Sequence, residues 1–155
     1  LMAARARSVT TILNTAPLTD EAARLARLAD VVVANETEFE LLAGRSDLDA
    51  TAREDVLMQL HRETGQTYVV TLGADGVIAA CDGALHRAKG LKIEPVDTVG
   101  AGDTFCGTLA AAIDSGIAFG QALRRAAVAG SLACLKPGAQ PSIPTKAEVE
   151  DRLQG

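Results

Sequence analysis

Apolar and polar positions along this chain alternate between a strand rhythm and a helix rhythm. Ser8-Val9-Thr10-Thr11-Ile12-Leu13 is rich in β-branched residues and predicts a buried strand, ended by Asn14 and Pro17. From Leu18 to Ala29 apolar residues recur at helical spacing, with Thr19 or Asp20 as the N-cap. Val31-Val32-Val33 predicts a second strand. Asn35-Glu36-Thr37-Glu38 then opens a helix to Leu42, stopped by Gly44. Ala50 to Glu63 reads as a further helix ended by Gly65, and Tyr68 to Leu72 as a third strand.

The rhythm then changes. Gly73-Ala74-Asp75-Gly76 is a turn signal before a strand-like run from Val77 to Ala80, and Asp82-Gly83 is a turn into Ala84 to Ala88. Helical patterns return from Gly102 to Ser115 and from Phe119 to Leu135. A Pro/Gly loop from Lys136 to Pro144 leads to a last helix near Lys146 to Leu153. Alternating strands and helices predict one α/β domain over residues 1–155, an open, mostly parallel sheet with helices on its faces.

Composition narrows the function classes. Hydrophobic residues make up 48% and aromatics only 3%, so the core is built from Ala, Leu, Val and Ile. A net charge of -5 argues against a nucleic-acid partner or an anionic membrane surface. The longest apolar stretch, Ala126 to Leu135, is too short to cross a bilayer. Cys81, Cys106 and Cys134 stand far apart without metal-ligand spacing, and with no targeting segment visible they point to a reducing cytoplasm. Leu1 falls inside an apparent helical pattern, as a cut end would.

The most informative stretch is Asp97-Thr98-Val99-Gly100-Ala101-Gly102-Asp103-Thr104-Phe105. Small residues leave backbone amides uncovered where a helix begins, which favours a phosphate. Asp103 stands where it can accept a proton from an attacking hydroxyl, or complement the helix dipole, and the two roles are compatible. Other phosphate and hydrolase signatures are missing: no Gly-x4-Gly-Lys-[Ser/Thr], no Gly-x-Gly-x-x-Gly after the first strand, no protein-kinase set and no Gly-x-Ser-x-Gly. His61, on a polar helix face, and His86, in a strand, read as solvated surface residues.

The Asp97 to Phe105 stretch resembles the C-terminal signature of the ribokinase-like carbohydrate kinases. Further segments follow that family's order. Asn14-Thr15-Ala16-Pro17 resembles its Asn-Pro-Ala-Pro element, with Thr15 in place of a proline. Asn35-Glu36-Thr37-Glu38 resembles its Asn-x-x-Glu motif, and Val70 to Gly76 its nucleotide strand and turn. Gly138 to Pro144 resembles the closing segment of the family's ribose-phosphorylating members.

The resemblance implies a Rossmann-type three-layer fold and transfer of a phosphoryl group from ATP to a sugar hydroxyl, ribose above all. Asp103 would be the general base, and the amides of Gly100, Ala101 and Gly102 the anion hole. Asn35 and Glu38 would act through water on Mg2+ and the ATP phosphates; by the residues alone they read as a capping box. Thr71, Gly73 and Gly76 would line the nucleotide site, or simply a hairpin. Asp97, the Val99 carbonyl, Gly138 and Ser142 would hold K+.

In that family the N-terminal half carries most of the sugar site, the first strands and a lid. The segments matched here belong to the C-terminal, nucleotide-binding portion, which alone would not turn over. The expected partners are ATP, a small sugar, and either the missing half or a second copy covering an exposed sheet edge. A nucleotide-binding module without turnover remains open, as does a family kinase for fructose, a keto-sugar acid or a nucleoside.

Overall fold

A computed structural model describes residues 1–154. They form α1 (Met2–Arg5), β1 (Ile12–Asn14), α2 (Asp20–Ala26), β2 (Val31–Asn35), α3 (Glu36–Ala43), α4 (Ala50–Thr64), β3 (Thr67–Thr71), β4 (Val77–Cys81), β5 (Ala84–Ala88), α5 (Ala101–Asp114), α6 (Phe119–Ala133) and α7 (Lys146–Gln154). The chain divides into two compact units, Leu1–Gly73 with Ile78–His86, and Ala74–Val77 with residue 87 onward.

The five-stranded sheet has the order β1-β2-β3-β4-β5. β1, β2 and β3 are parallel, with Ile12 opposite Val31 and Asn35 opposite Thr71. Residues 72–76 and the Asp82–Gly83 turn are too short for a crossover, so β4 and β5 reverse direction. Both turn residues have positive φ, 49° at Asp82 and 75° at Gly83, which matches the twist of a two-residue hairpin. The sheet is therefore open and parallel through its first three strands, flanked by helices.

The core of the first unit is mainly aliphatic, as the composition requires, with Phe39 its largest fully buried side chain. Val70, Ala34, Ile78 and Ala80 from the sheet pack with Phe39 of α3 and Leu57 of α4. Ala26, Ala29 and Val32 form a neighbouring cluster with Leu13, Leu42 and Tyr68. Burying each large aliphatic side chain contributes about 1.5–3 kcal/mol. Gln66 ties this layer together, its amide nitrogen donating to the carbonyls of Ala26 at 2.7 Å and Ala29 at 2.6 Å.

The start of the first strand and the setting of His61 differ from the sequence reading. The first strand starts at Ile12 rather than Ser8, because Asp30 intervenes: its carboxylate accepts from the Thr11 amide at 2.8 Å and the Thr11 hydroxyl at 2.6 Å. Those bonds hold the Asp30 carboxyl below its ordinary range, the Thr11 hydroxyl foremost. His61 is not a solvated surface residue; it is 9% exposed. Its Nε2 accepts from the Gly83 amide at 2.9 Å, which leaves the proton on Nδ1 for the Gln66 carbonyl at 2.7 Å. A polar helical pattern hides such a residue, since the partner that buries it lies 22 positions further on. His86 is half-buried on β5.

In the second unit α5 packs on α6. Gly130 permits the close approach: a Cβ there would meet the Ala101 carbonyl oxygen at 3.3 Å. Val128 and Ala129 of α6 meet Val149 of α7, with Leu91, Leu132 and Leu153 around them. Arg125 and Glu150 form a two-pronged ion pair between α6 and α7. Ser131 accepts from the Leu91 amide at 3.0 Å, and Arg124 donates to the Gly90 carbonyl at 3.1 Å, so the segment entering this unit is held against α6.

Candidate functional site

The second unit carries the Gly-rich helix start. Gly100 is the residue before α5, with φ +78°, a left-handed conformation that favours glycine. It also lies against the loop beyond α6: a Cβ on Gly100 would come within 2.9 Å of the Ala139 Cα. Gly102 is different, because a Cβ there would meet nothing within 4 Å. Thr104 and Phe105 are buried and anchor the first turn, while Asp103 is exposed in that same turn.

A helix leaves its first amides without helical partners. Of those around this start, the Ala101 amide reaches the Thr98 carbonyl at a long 3.3 Å. The amides of Gly100, Gly102 and Asp103 have no acceptor among the described residues. The donor set is therefore centred on Gly100 and Gly102, with Ala101 partly engaged. Cys106, further along the same helix, stays a thiol: burial pushes it up to about 11, with the Asp103 charge adding to it.

Asp97 fastens this start in place. Its Oδ2 accepts from the Gly138 amide at 2.8 Å and its Oδ1 from the Val99 amide at 3.0 Å. These bonds, Gly138's first, hold the carboxyl below its ordinary range. The Cys134 carbonyl accepts from the Val96 and Asp97 amides at 2.8 and 3.3 Å, joining the segment to the end of α6. Ser142 is fully buried, and its hydroxyl donates to the Ala139 carbonyl at 2.8 Å. Asp97, Gly138 and Ser142 thus belong to one hydrogen-bonded loop assembly that includes Val99. Its carboxylate, carbonyls and hydroxyl are hard oxygen donors, which fit an alkali cation.

The first unit carries the acidic motif. Asn35 Oδ1 accepts from the Glu38 amide at 2.9 Å, and Glu38 Oε2 accepts from the Asn35 amide at 3.0 Å, a complete capping box. Asn35 is opposite Thr71 in register, so both stand at the carboxyl ends of adjacent parallel strands, where α/β sheets bind ligands. Glu38 is buried, and its second oxygen, Oε1, has no donor among the described residues. No group of three or more His, Cys, Asp or Glu side chains among the described residues could hold a metal. The donor set suits Mg2+, which needs few protein oxygens when phosphates and water supply the rest.

Thr71 donates to the Ala34 carbonyl at 3.4 Å. Gly73 opens the turn after β3 with open space around its Cα, whereas Gly76 answers a packing demand: φ is +99° and a Cβ would overlap the Ala88 carbonyl oxygen. One partner escaped the sequence reading. Thr15 is 1% exposed, and its hydroxyl lies 3.3 Å from Glu38 Oε2 and 3.2 Å from the Val33 carbonyl. The signal available was the hydroxyl residue itself in Asn14-Thr15-Ala16-Pro17.

Residues 1–146 match the profile of the pfkB family carbohydrate kinases. The chain belongs to that family. It is 34% identical over 151 residues to the ribokinase of Haemophilus influenzae, covering 97% of this chain and 49% of that protein. It is 33% identical to fructokinase-1 of rice over 128 residues, 78% of this chain and 38% of that one. Among solved structures, Arabidopsis thaliana ribokinase complexed with ribose and ATP superposes with a TM-score of 0.89 at 29% identity, over 99% of this chain and 50% of that one. The chain thus spans about half the length of the relatives it matches. No helix among the described residues is long and apolar enough to cross a membrane.

Proposed function

We propose that this chain is the nucleotide-binding and catalytic portion of an ATP-dependent carbohydrate kinase, with ribose as the sugar. The observation that carries the reading is the start of α5: an exposed Asp103 in the same turn as uncovered amides at Gly100 and Gly102. In the reaction the sugar hydroxyl gives its proton to the Asp103 carboxylate. Its oxygen attacks the γ-phosphorus, and the bond to the β–γ bridging oxygen breaks, releasing ADP. The amides of Gly100, Ala101 and Gly102 stabilise charge on the transferring group, with fixed donors worth a few kcal/mol each.

Asn35 and Glu38 act through water on Mg2+, which neutralises phosphate charge when bound. Thr71, Gly73 and Gly76 lie along the nucleotide, and Asp97, the Val99 carbonyl, Gly138 and Ser142 hold K+. The likeness to rice fructokinase-1 supports a second sugar, fructose. The half-length match supports a third reading, in which this portion binds nucleotide without turnover.

β1 ends the sheet with Ile12 and Leu13 only half-buried. Parallel strands are ordinarily covered on both sides, so this edge is paired in the working protein by its remaining chain or by a second copy. The setting is the cytoplasm. The test is ADP formation with Mg2+ and K+, with and without ribose or fructose. Sugar-dependent ADP identifies the substrate and shows that this portion suffices. MgATP binding without turnover supports a half-site that needs the rest of the protein. Absence of both rejects the kinase reading.

A further inference from the structure

We propose that Thr15 is a positioning residue for the Glu38 carboxylate, fixing it for a hydrated divalent cation; the proposal rests on the kinase reading above. Glu38 is 8% exposed, and a carboxylate so enclosed depends on donors. The Asn35 amide supplies one to Oε2 at 3.0 Å, from the same helix start. A single donor lets the carboxylate pivot about that contact. Thr15 supplies a second to the same oxygen at 3.3 Å, from the residue after β1. Thr15 is itself held, since its amide donates to the Val33 carbonyl at 2.9 Å. Two donors on Oε2 fix the carboxylate plane and leave Oε1 unengaged, the arrangement a water-mediated metal contact requires.

The Thr15 hydroxyl has one proton and two acceptors within reach, Glu38 Oε2 and the Val33 carbonyl at 3.2 Å. An ionised carboxylate is the stronger acceptor. When a cation draws charge from Glu38, the proton can turn to Val33 without leaving a buried group unpaired. A proline at this position, as in the Asn-Pro-Ala-Pro element, has no hydroxyl and could do neither.

The test is calorimetric titration of the full chain with a non-hydrolysable ATP analogue over a series of Mg2+ concentrations. Thr15→Ala and Thr15→Val remove the hydroxyl, and Thr15→Ser keeps it. The Mg2+ concentration for half-maximal binding should rise about tenfold in both removals and return in Thr15→Ser. Affinity for the analogue without Mg2+ should stay constant in all of them. A midpoint in Thr15→Ala unchanged from the parent overturns the proposal, as does an equal loss of Mg2+-free binding, which marks a purely structural role. A parent chain whose binding ignores Mg2+ overturns the kinase reading as well.

Discussion

Asp97 and Gly138, 41 positions apart, are joined by a 2.8 Å hydrogen bond from the Gly138 amide to the Asp97 carboxylate. The other oxygen of the same carboxylate takes the Val99 amide, one residue before Gly100. One side chain therefore ties the approach to α5 to the loop that presses on Gly100. Both bonds favour the ionised form, so the folded carboxyl titrates below its unfolded value. The stabilisation is complete above the unfolded aspartate value of about 4 and is lost as pH falls from there through the folded value. Asp97→Asn should lessen the fall in thermal stability on the acid side of about pH 4, with Asp30, Glu148 and Glu150 supplying the rest of it. A variant whose acid profile overlays the parent's would assign no such role to Asp97.

Asp103 is exposed and its carboxylate has no protein partner among the described residues, so its removal should leave folding intact. In the full-length protein, Asp103→Asn should lower kcat by about two to four orders of magnitude, the usual contribution of a general base. Nucleotide affinity should stay near the parent's. Near-normal turnover would remove Asp103 as the base.

Gly100 and Gly102 should separate stability from binding. Gly100→Ala forces a side chain into a left-handed residue and against Ala139, so it should destabilise by about 1–3 kcal/mol. Gly102→Ala meets open space and a helical backbone, so its melting temperature should hold or rise. The same methyl would stand over the amides proposed for phosphate, and nucleotide affinity should fall. Thermal melts and calorimetry on the pair decide the matter; equal losses of stability would contradict it.

How much could be read in advance depended on how local each determinant was. Asn35 and Glu38 formed their capping box because three-residue spacing is all that motif needs. Gly44 and Gly65 ended α3 and α4 as the sequence indicated, and Gly100 opened α5 one residue earlier than the periodicity suggested. The start of β1 was not legible, because Asp30 competes for Thr11 from another element. Thr15 was visible only as a departure from a motif, since its link to Glu38 exists once β1 and β2 lie side by side. Gly76 shows the reverse case: the turn the sequence signalled needs its glycine because the backbone of Ala88 leaves no room for a Cβ.

His61 provides a stability test independent of the chemistry. Its ring joins the last turn of α4 to the β4–β5 turn, satisfying the Gly83 amide and the Gln66 carbonyl at once. Gln66 in turn holds the end of α2 through Ala26 and Ala29, so the imidazole lies at the start of a chain of polar contacts. His61→Leu fills similar space but leaves a donor and an acceptor with reduced access to water, at about 1–3 kcal/mol each. His61→Gln can replace one of those bonds and should recover part of the loss. Denaturant unfolding should therefore order the variants as parent, Gln, then Leu. A Leu variant as stable as the parent would mean that water satisfies both backbone groups and that the ring serves only as bulk.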